Sequence, residues 1–583
     1  MIPPPTAHFE SFGARREEES GWNVSLRNPR SVSVAHSIDE VIPLLRAAES
    51  AAKRGSWVAL AISYDAAPAF DTALDVRRDP DFPLAWCGIF DDVPSTADSP
   101  SADNFSVSGF DPALPASSYL SAIESIKDYI AAGDTYQVNY TFPLRGDVSG
   151  DLFSCFRTVA KSQGAGYSAY LDIGSHRILS FSPELFFRRD GIKLTTRPMK
   201  GTARRGRWLV EDDEQAAQLA ASTKDRAENV MIVDLLRNDL GRVAQVGSVE
   251  VTSLFEVERF NRVLQMTSTV IATQRPDTDL VSVLAALFPC GSVTGAPKVR
   301  SMQIIRELEP HPRGIYTGAI GLLSPNGDMV FNVAIRTLAV QSGSGRATLG
   351  VGGGITWEST VGSEYEESLL KATFLTDRWP EFSLLETLAL IDGDYTLLER
   401  HLSRASDSAR YFGFVFSKAK ARRALDSVRG ANPTGDWRVR LLIDPAGDPH
   451  AEAKPLGPKR DAPLRVRLAP HPIDEMDPLL FHKISARERY DSALRECQPC
   501  DDVIFRNSRG EITESTIANV VVASDGKNWT PPREAGLLAG TLREELISNG
   551  QLFERTITVE ELERVKSFFL VNSVRGWMPA QLV

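Results

Sequence analysis

Apolar and polar positions along this chain alternate or run together in patterns that predict strands interspersed with helices. Two hairpins are predicted, one within Leu185–Thr196 with its turn at Asp190-Gly191, and one between Tyr316–Leu323 and Met329–Val340. Asp-Gly and Asn-Gly dipeptides between β-rich arms are strong hairpin signals. Helical periodicity predicts helices at Ile38–Ala52, Ser117–Ala132, Leu280–Leu287, Ser363–Trp379 and Leu398–Phe412. The pattern indicates a mixed α/β fold.

Two glycine-containing stretches are predicted to be loops. Lys200 follows the strand Leu185–Thr196 and is expected where that strand gives way to a loop at Gly201. A lysine in such a place is most often a solvated charge, so only its neighbours can make it a functional candidate. The triplet Gly352–Gly354 is predicted to form a tight loop whose N–H groups could approach an anion.

Trp379-Pro380 marks a predicted boundary, because the strand–turn–helix pattern starts again after it. The first domain is expected to span residues 1–378, with its core motifs in about 115–376. The second is expected to span 383–583, and its polar connector at 457–461 separates a small lobe of about 383–456 from a large lobe of about 462–583. A chain of 583 residues is long enough for several such units.

Composition and charge exclude several classes of protein. The net charge is −11 and no basic face is clustered, so nucleic acid is not an expected partner. No apolar run approaches membrane-spanning length, and the first residues lack the features of a secretion signal. Five cysteines, an odd number, argue against a disulfide framework, and Cys497 and Cys500 are interpreted as structural thiols rather than metal or redox groups. The expected compartment is the cytoplasm.

Charged residues in the first half form a candidate site for an anionic substrate and a cation. Glu364, Glu367 and Lys371 have a spacing that places them on one helical face, and Glu228 lies on another predicted helix. Carboxylates that converge from separate helices suit Mg²⁺, although surface salt bridges explain the same spacing. Arg336 lies in an otherwise apolar predicted strand and needs a carboxylate partner. A dicarboxylate substrate near a metal fits this set.

Several motifs carry a resemblance to a known family, namely Ser182–Leu185, Pro198–Thr202, Asp234–Asp239, Pro289–Lys298 and Glu364–Lys371. Over about residues 115–376 the chain resembles the chorismate-utilising enzymes, which include anthranilate, isochorismate, salicylate and aminodeoxychorismate synthases. The resemblance implies a large α/β/α arrangement of antiparallel sheets.

The resemblance also implies roles for individual residues. Glu228 and Glu367 would hold Mg²⁺ at the ring carboxylate of chorismate, with Glu364 nearby. Glu184 would be the general acid that assists departure of the C4 hydroxyl. Arg336 and Tyr316 would grip the enolpyruvyl carboxylate and Lys371 the ring carboxylate. The complete set of implied substrate-binding residues is Gln137, Thr202, Tyr316, Arg336, Gly353 and Lys371.

Two positions distinguish the branches of this family. Isochorismate and salicylate synthases carry a water-activating Lys where this chain has Gln137, so water addition is disfavoured. Anthranilate and isochorismate synthases have Ala where this chain has Lys200, whereas aminodeoxychorismate synthases have a Lys that is proposed to attack C2 of chorismate. Such an amine must be partly neutral, so Lys200 is expected to be desolvated or near other cations. One departure is Gln265, where much of the family has His.

Residues 383–583 contain a second set of motifs. A phosphate-bearing pyridine cofactor would suit three features of these residues, namely a lysine within Phe481–Ile484, an acid before an apolar run and a Gly-Thr at a helix start. Each feature alone also fits a surface charge or a turn. Together they resemble the fold-type IV pyridoxal-phosphate enzymes, which include aminotransferases and aminodeoxychorismate lyase. The resemblance implies that Lys483 binds pyridoxal 5'-phosphate covalently, that Glu514 keeps its ring nitrogen protonated, and that Arg404, Gly540 and Thr541 bind its phosphate.

The two resemblances together imply a bifunctional enzyme. It would convert chorismate and ammonia to aminodeoxychorismate, and then to pyruvate and 4-aminobenzoate, a folate precursor. The chain lacks a glutaminase-like Gly-x-Cys-x-Gly segment, so a separate glutamine amidotransferase is the expected source of ammonia. The second half is compatible with a homodimer. The alternatives are an anthranilate-type synthase fused to a D- or branched-chain amino acid aminotransferase, and a scaffold whose second half has lost activity.

Overall fold

The computed structural model describes residues 4–12, 22–91, 104–377, 379–460, 462–565 and 567–583. The chain forms two compact units. The first unit consists of Met1–Arg204 and Ala216–Trp379, and the second consists of Arg205–Gln215 and Pro380–Val583. In the described part of the chain, no helix is long and apolar enough to cross a membrane.

The first unit contains the strands β1 (Ala7–Glu10), β2 (Val24–Leu26), β3 (Ser31–Ala35), β4 (Trp57–Ile62), β5 (Ala85–Phe90), β6 (Phe105–Pro112), β7 (Gln137–Gly150), β8 (Tyr167–Asp172), β9 (His176–Ser182), β10 (Leu185–Asp190), β11 (Lys193–Arg197), β12 (Met199–Arg204), β13 (Glu250–Arg259), β14 (Val263–Thr273), β15 (Gly295–Ala296), β16 (Ala319–Leu323), β17 (Met329–Val333), β18 (Thr337–Gln341) and β19 (Arg346–Ile355). Its helices are α1 (Ile38–Lys53), α2 (Ala116–Ala131), α3 (Leu152–Gln163), α4 (Leu209–Ala221, divided between the two units), α5 (Thr223–Gly241), α6 (Leu280–Leu287), α7 (Lys298–Leu308) and α8 (Val361–Leu370).

These strands form two antiparallel sheets that pack face to face. The first sheet has the order β15-β7-β19-β18-β9-β8-β1-β2, with β6 beside β7. The second has the order β12-β14-β11-β10-β17-β16-β4-β5-β3, with β13 beside β14. Phe9 and Tyr167 from the first sheet share a buried cluster with Trp86 and Ile320 from the second. Helices α2, α3 and α7 cover the outer face of the first sheet and α1, α5 and α6 that of the second, which confirms the layered antiparallel fold.

The structure corrects the predicted second hairpin. The turn at Asn326-Gly327 is present between β16 and β17, but the strand expected at Met329–Val340 is two strands in different sheets. Arg336 therefore lies on the crossover between β17 and β18, not inside a strand, and its φ is +48°. The apolar run is continuous because both strands are buried, so it does not reveal the change of sheet.

Both glycine-containing loops are also strands in the structure. Gly352, Gly353 and Gly354 pair with Thr141, Tyr140 and Asn139 within the β19–β7 ladder. Lys200 lies in β12 rather than in a loop. The helix predicted at Ser363–Trp379 ends already at Leu370, and the helix α7 inside the motif region was not predicted.

The second unit contains the strands β20 (Leu384–Ile391), β21 (Asp394–Tyr395), β22 (Asp436–Ile443), β23 (Pro449–Pro455), β24 (Leu464–Leu468), β25 (Asp502–Arg506), β26 (Ile512–Ser515), β27 (Asn519–Ser524), β28 (Lys527–Thr530), β29 (Phe553–Glu554), β30 (Ser567–Asn572) and β31 (Gly576–Leu582). Its further helices are α9 (Leu398–Phe412), α10 (Lys418–Ala431), α11 (Glu488–Glu496), α12 (Thr541–Ser548) and α13 (Val559–Val565).

The second unit has a small sheet and a larger closed one. The small sheet has the order β21-β20-β22-β23 and packs against α9 and α10. The larger sheet has the order β26-β25-β24-β31-β30-β27-β28-β29, and β26 also pairs with β27, which closes it. Strand β24 runs parallel to β25 and β31, so this sheet is mixed. Cys497 and Cys500 are buried free thiols in an adjoining apolar cluster.

Candidate active sites

The strand that carries Lys200 is held in place by Gln265. Thr202 and Gln265 are opposite each other in the β12–β14 ladder, and the Thr202 hydroxyl donates to Gln265 Oε1 at 3.0 Å. Gln265 Nε2 in turn donates to the carbonyl of Gly201 at 2.9 Å. Gly201 adopts a φ of +93°, which favours glycine and bends the strand beside Lys200. The residue that replaces the family's His therefore positions the lysine strand.

The glycine triplet makes room for the Lys200 side chain. A Cβ at Gly354 would lie 2.2 Å from Nε2 of Gln137 and 2.8 Å from Nζ of Lys200. The amide and the ammonium therefore meet over the backbone of β19. Gln137 is fully buried, and neither of its side-chain amide atoms has a hydrogen-bond partner among the described residues. A buried amide that makes no hydrogen bond is costly, so Gln137 is a candidate ligand for a molecule bound beside Lys200.

The burial of the Lys200 side chain favours a partly neutral amine. Burial lowers the pKa of Lys200, and the nearby cation Lys371 lowers it further, while Glu228, Glu184 and Glu367 oppose the shift. The side chain stays half-buried rather than sealed, so a substrate can reach it. A lowered pKa increases the fraction of the nucleophilic form at neutral pH. These observations agree with the desolvation expected for this residue.

Glu184 and Arg336 lie on two neighbouring crossovers between the sheets. The carbonyl of Glu184 accepts from the N–H of Val333 at 3.2 Å, and the carbonyl of Arg336 accepts from the N–H of Phe181 at 3.0 Å. These bonds tie the β9–β10 connection to the β17–β18 connection. The two functional candidates are thus positioned by one pair of chain crossings.

Glu184 is buried and poised to hold a proton. Burial raises its pKa to about 7, although Ser292 and Lys200 act in the opposite direction. The Ser292 hydroxyl donates to Glu184 Oε1 at 2.8 Å. Ser292 lies in the Pro289–Lys298 motif, and sequence reasoning assigned it no role. A carboxyl with a pKa near neutrality can act as a general acid.

Arg336 and Tyr316 are the two predicted ligands of a substrate carboxylate. Burial lowers the pKa of Arg336, and its guanidinium forms no ion pair or hydrogen bond among the described residues. A desolvated guanidinium without a counter-charge suits a substrate carboxylate. Tyr316 lies in a turn before β16, and a Cβ at Gly350 would come within 2.1 Å of its ring. Burial raises the pKa of Tyr316, so its hydroxyl remains a donor.

The candidate metal ligands lie near Lys200 and the glycine triplet of β19. Burial raises the pKa of Glu228, and Glu364 lies close enough to add to this shift. A Cβ at Gly353 would lie 3.4 Å from Glu364 Oε2 and 3.5 Å from Lys371 Nζ. Lys371 forms an ion pair with Glu367 at 2.9 Å and donates to the carbonyl of Gly352 at 3.0 Å. Within the described ranges, no three His, Cys, Asp or Glu residues gather closely enough to form a metal cluster.

In the second unit, Lys483 follows a short 3₁₀ helix at Pro478–Phe481. Its carbonyl accepts from the N–H of Leu385 at 2.9 Å, which fixes the lysine backbone against β20. Burial lowers the pKa of Lys483 to about 8, and the Arg404 guanidinium contributes to the shift. A substantial fraction of this amine is therefore neutral near physiological pH.

Glu514 lies in β26 and is almost fully buried. Its Oε1 accepts from the Tyr490 hydroxyl at 2.8 Å and its Oε2 accepts from the N–H of Leu538 at 3.2 Å. Burial raises its pKa to about 7, and these hydrogen bonds limit the rise. The carboxylate is held in one orientation by two donors, as a partner for a ring nitrogen requires.

Arg404 belongs to a buried network that sequence reasoning missed. Its Nε and Nη2 donate to Glu386 at 2.9 and 2.6 Å, and its Nη1 donates to the carbonyl of Ala539 at 3.2 Å. His401 Nδ1 also contacts Glu386, at 2.6 Å. Burial alone would raise the pKa of Glu386, but the positive charge of Arg404 and the contact with His401 hold this pKa at about 2. The position of Glu386 on β20 gave no sequence signal, because its partners come from α9.

Gly540 and Thr541 begin helix α12. A Cβ at Gly540 would lie 2.2 Å from Oδ1 of Asn519, so this position accepts only glycine without a shift. The Thr541 hydroxyl is 3.2 Å from His401 Nε2, which links the helix start to the Glu386–Arg404 network. The free N–H groups of a helix start favour a phosphate.

The residues of the second unit fit pyridoxal 5'-phosphate. They supply a partly neutral lysine, an oriented carboxylate and a helix start. Arg404 also has N–H groups that are not used in its hydrogen bonds to Glu386 and Ala539 and can bind a phosphate. The donor set matches the amine-reactive aldehyde, the ring nitrogen and the phosphate of that cofactor.

Fold and sites together define a class of protein with two enzymatic parts. Residues 15–377 match the family described as chorismate binding enzyme, which is more than half of the chain. The chain belongs to the chorismate binding enzymes. Residues 383–583 match the family described as amino-transferase class IV, and the second unit has this fold-type IV architecture.

The chain is 41% identical over 269 residues to aminodeoxychorismate synthase component 1 of Bacillus subtilis (strain 168), covering 46% of this chain and 57% of that protein. It is 42% identical over 273 residues to aminodeoxychorismate synthase component 1 of Escherichia coli (strain K12), covering 47% of this chain and 60% of that protein. The chain thus spans somewhat more than half the length of these curated relatives. Among solved structures, anthranilate synthase component I from Streptococcus pneumoniae TIGR4 aligns with a TM-score of 0.51 and 27% identity, covering 57% of this chain and 85% of that chain.

Proposed function

We propose that this chain aminates chorismate to aminodeoxychorismate in its first unit and eliminates pyruvate from that product in its second unit. The observation that carries the proposal is the meeting of Lys200 Nζ and the unpaired amide of Gln137 over Gly354. A lysine nucleophile without a water-activating base beside it favours amination over hydration. The similarity to two aminodeoxychorismate synthases supports the same branch.

In the first step, neutral Lys200 attacks C2 of chorismate. Glu184 gives its proton to the C4 hydroxyl, which leaves as water as the ring double bonds shift. Ammonia then adds at C4 with loss of a proton, and Lys200 departs from C2. Arg336 and Tyr316 hold the enolpyruvyl carboxylate and Lys371 the ring carboxylate. Glu228 and Glu367, with Glu364 nearby, would hold Mg²⁺, which would neutralise carboxylate charge. The described residues do not form a preformed cluster of three carboxylates, so the ion would have to draw them together.

In the second step, Lys483 takes the proton from C4 and the bond between the ring and the enolpyruvyl oxygen breaks. The enolpyruvate that leaves takes up that proton and becomes pyruvate. Pyridoxal phosphate, when bound, supplies an electron sink next to the substrate amine. Glu514 would stabilise a protonated ring nitrogen of the cofactor, and Arg404, Gly540 and Thr541 would hold its phosphate. Formation of the aromatic ring of 4-aminobenzoate drives the elimination.

A separate glutamine amidotransferase is the proposed source of ammonia. Ammonia is mostly protonated at neutral pH, so delivery by a partner raises the concentration of the reactive form. The name "component 1" of the two relatives supports a two-component system.

Two lysine variants test the assignment of the steps. Lys200→Ala should abolish formation of aminodeoxychorismate, whereas Lys483→Ala should accumulate it. Lys193→Ala and Lys527→Ala replace exposed lysines of the same two units and serve as controls. Production of 4-aminobenzoate by Lys483→Ala at the original rate would contradict the role of the second unit.

A further inference from the structure

The second unit includes a segment that is distant from the rest of it in sequence. We call Arg205–Gln215 the inserted segment; it follows directly on β12, the strand of Lys200. The buried Arg205 guanidinium donates to both carboxylate oxygens of buried Asp212, at 2.6 and 3.0 Å. The N–H of Gly206 donates to the same carboxylate at 3.0 Å. These bonds close the segment into a defined turn.

The inserted segment is anchored to the end of α9 through Tyr411. Arg205 Nη2 donates to the carbonyl of Tyr411 at 2.8 Å, and its guanidinium lies 4.2 Å above the Tyr411 ring. The Tyr411 hydroxyl donates back to the carbonyl of Gly206 at 2.7 Å. A Cβ at Gly206 would lie 2.1 Å from the backbone nitrogen of Asp212, so the turn requires glycine here.

The inserted segment and α9 together pack against the two residues that precede Lys483. The Trp208 ring is 5.1 Å from the Phe481 ring, and the Tyr411 ring is 4.4 Å from the His482 ring. Ser408 of α9 adds a hydrogen bond of 2.9 Å to His482 Nδ1. The backbone of Lys483 is held from another direction by Leu385. The position of Lys483 therefore depends both on the packing at Phe481 and His482 and on the backbone hydrogen bond from Leu385.

We infer that the inserted segment is a built-in part of the second site and that Trp208 is a positioning residue for Lys483. This inference rests on the proposed cofactor function of that site. Its physical reason is that Phe481 and His482 fix the direction from which the amine reaches the cofactor aldehyde. Small displacements of a reacting group cost large factors in rate.

We expect loss of the indole to expose the Lys483 amine to water as well, because Phe481, which precedes it by two residues, loses the ring it packs against. Condensation of Lys483 with the aldehyde releases one water and requires the neutral amine. The charged groups that act on this amine are Arg404 of α9, Glu386 of β20, Glu514 of β26 and Arg487 before α11. In the part of the chain that the structure describes, none of these four groups contacts Trp208. Arg207 and Arg533 do stack on its ring, at 4.8 and 4.6 Å, and lose that contact in Trp208→Ala, whereas Trp208→Phe keeps a ring for them and for Phe481.

The test measures attachment of pyridoxal phosphate to the full-length apoprotein as a function of pH. Absorbance follows the reaction, and borohydride reduction with mass spectrometry of the Lys483 peptide identifies the site. For Trp208→Ala we expect the pH midpoint of attachment to rise by about one unit, which corresponds to a tenfold smaller neutral fraction. Trp208→Phe should restore the wild-type midpoint, and Val210→Ala, an exposed position in the same segment, should not change it.

Tyr411→Phe provides a second variant that removes only the hydrogen bond to Gly206 and keeps the ring on His482. It should slow attachment even if Trp208→Ala fails to fold. If both variants fold, a wild-type pH midpoint and a wild-type attachment rate in both would overturn the inference. If Trp208→Ala does not fold, a wild-type attachment rate in Tyr411→Phe would overturn it. Failure of the wild-type protein to attach the cofactor at Lys483 would instead refute the proposed function of the second unit.

Discussion

Replacement of Gly354 by alanine tests the geometry of the first site. The added Cβ would lie 2.2 Å from Gln137 Nε2 and 2.8 Å from Lys200 Nζ, whereas ordinary contact begins at 3.4 Å. The amide must therefore retreat by about 1.2 Å, the difference between 3.4 and 2.2 Å, and the ammonium by about 0.6 Å, the difference between 3.4 and 2.8 Å. A misplacement of roughly 1 Å costs on the order of 100-fold in rate. Both obstacles are ends of flexible side chains, so the protein should still fold.

The assay is the initial rate of aminodeoxychorismate formation from chorismate and ammonium salt. We expect Gly354→Ala to lose about 100-fold, while pyruvate elimination from supplied aminodeoxychorismate stays unchanged. Gly241→Ala is the matched control, because a Cβ there meets nothing within 4 Å. A rate for Gly354→Ala within about twofold of wild type would refute the argument, because that is far less than a 1 Å displacement costs.

Three further predictions follow from the charges of the two sites. Because its pKa is raised to about 7, Glu184 keeps its proton below that pH. The amination rate should therefore fall as the pH rises through this value. Glu184→Gln should remove this fall from the pH–rate profile. Arg336→Gln should raise the KM for chorismate about 10- to 100-fold, because a charged hydrogen bond contributes roughly 1.5–3 kcal/mol. An unchanged KM would exclude Arg336 as a ligand. Arg346→Gln, at an exposed position, is the control. Glu386→Gln should weaken pyridoxal phosphate binding about tenfold in equilibrium titration, since Arg404 loses its ion pair; unaltered binding would show that this pair does not support the phosphate site.

Local sequence signals predicted many elements of both units. The turn at Asp190-Gly191 joins β10 and β11, and α6 and α9 begin and end where periodicity places them. Such elements depend on neighbours within a few residues, which the sequence shows directly. The crossover at Arg336 could not be predicted in this way, because a left-handed φ at a non-glycine residue is imposed by tertiary contacts.

The candidate sites show the same division. The motifs pointed to Lys200, Glu184 and Lys483. The structure buries Glu184, half-buries the two lysines, and shifts the pKa of all three. The role of Gly354 was hidden because Gln137 and Lys200 reach it from other strands, more than 150 residues away in the chain. A glycine inside a strand indicates close approach of another group as well as a turn.

The most direct measurement is the identity of the product formed from chorismate and ¹⁵N-labelled ammonium by the wild-type protein loaded with pyridoxal phosphate. We predict ¹⁵N-labelled 4-aminobenzoate and an equal amount of pyruvate. Labelled anthranilate as the product would contradict this prediction and would establish the anthranilate-type alternative.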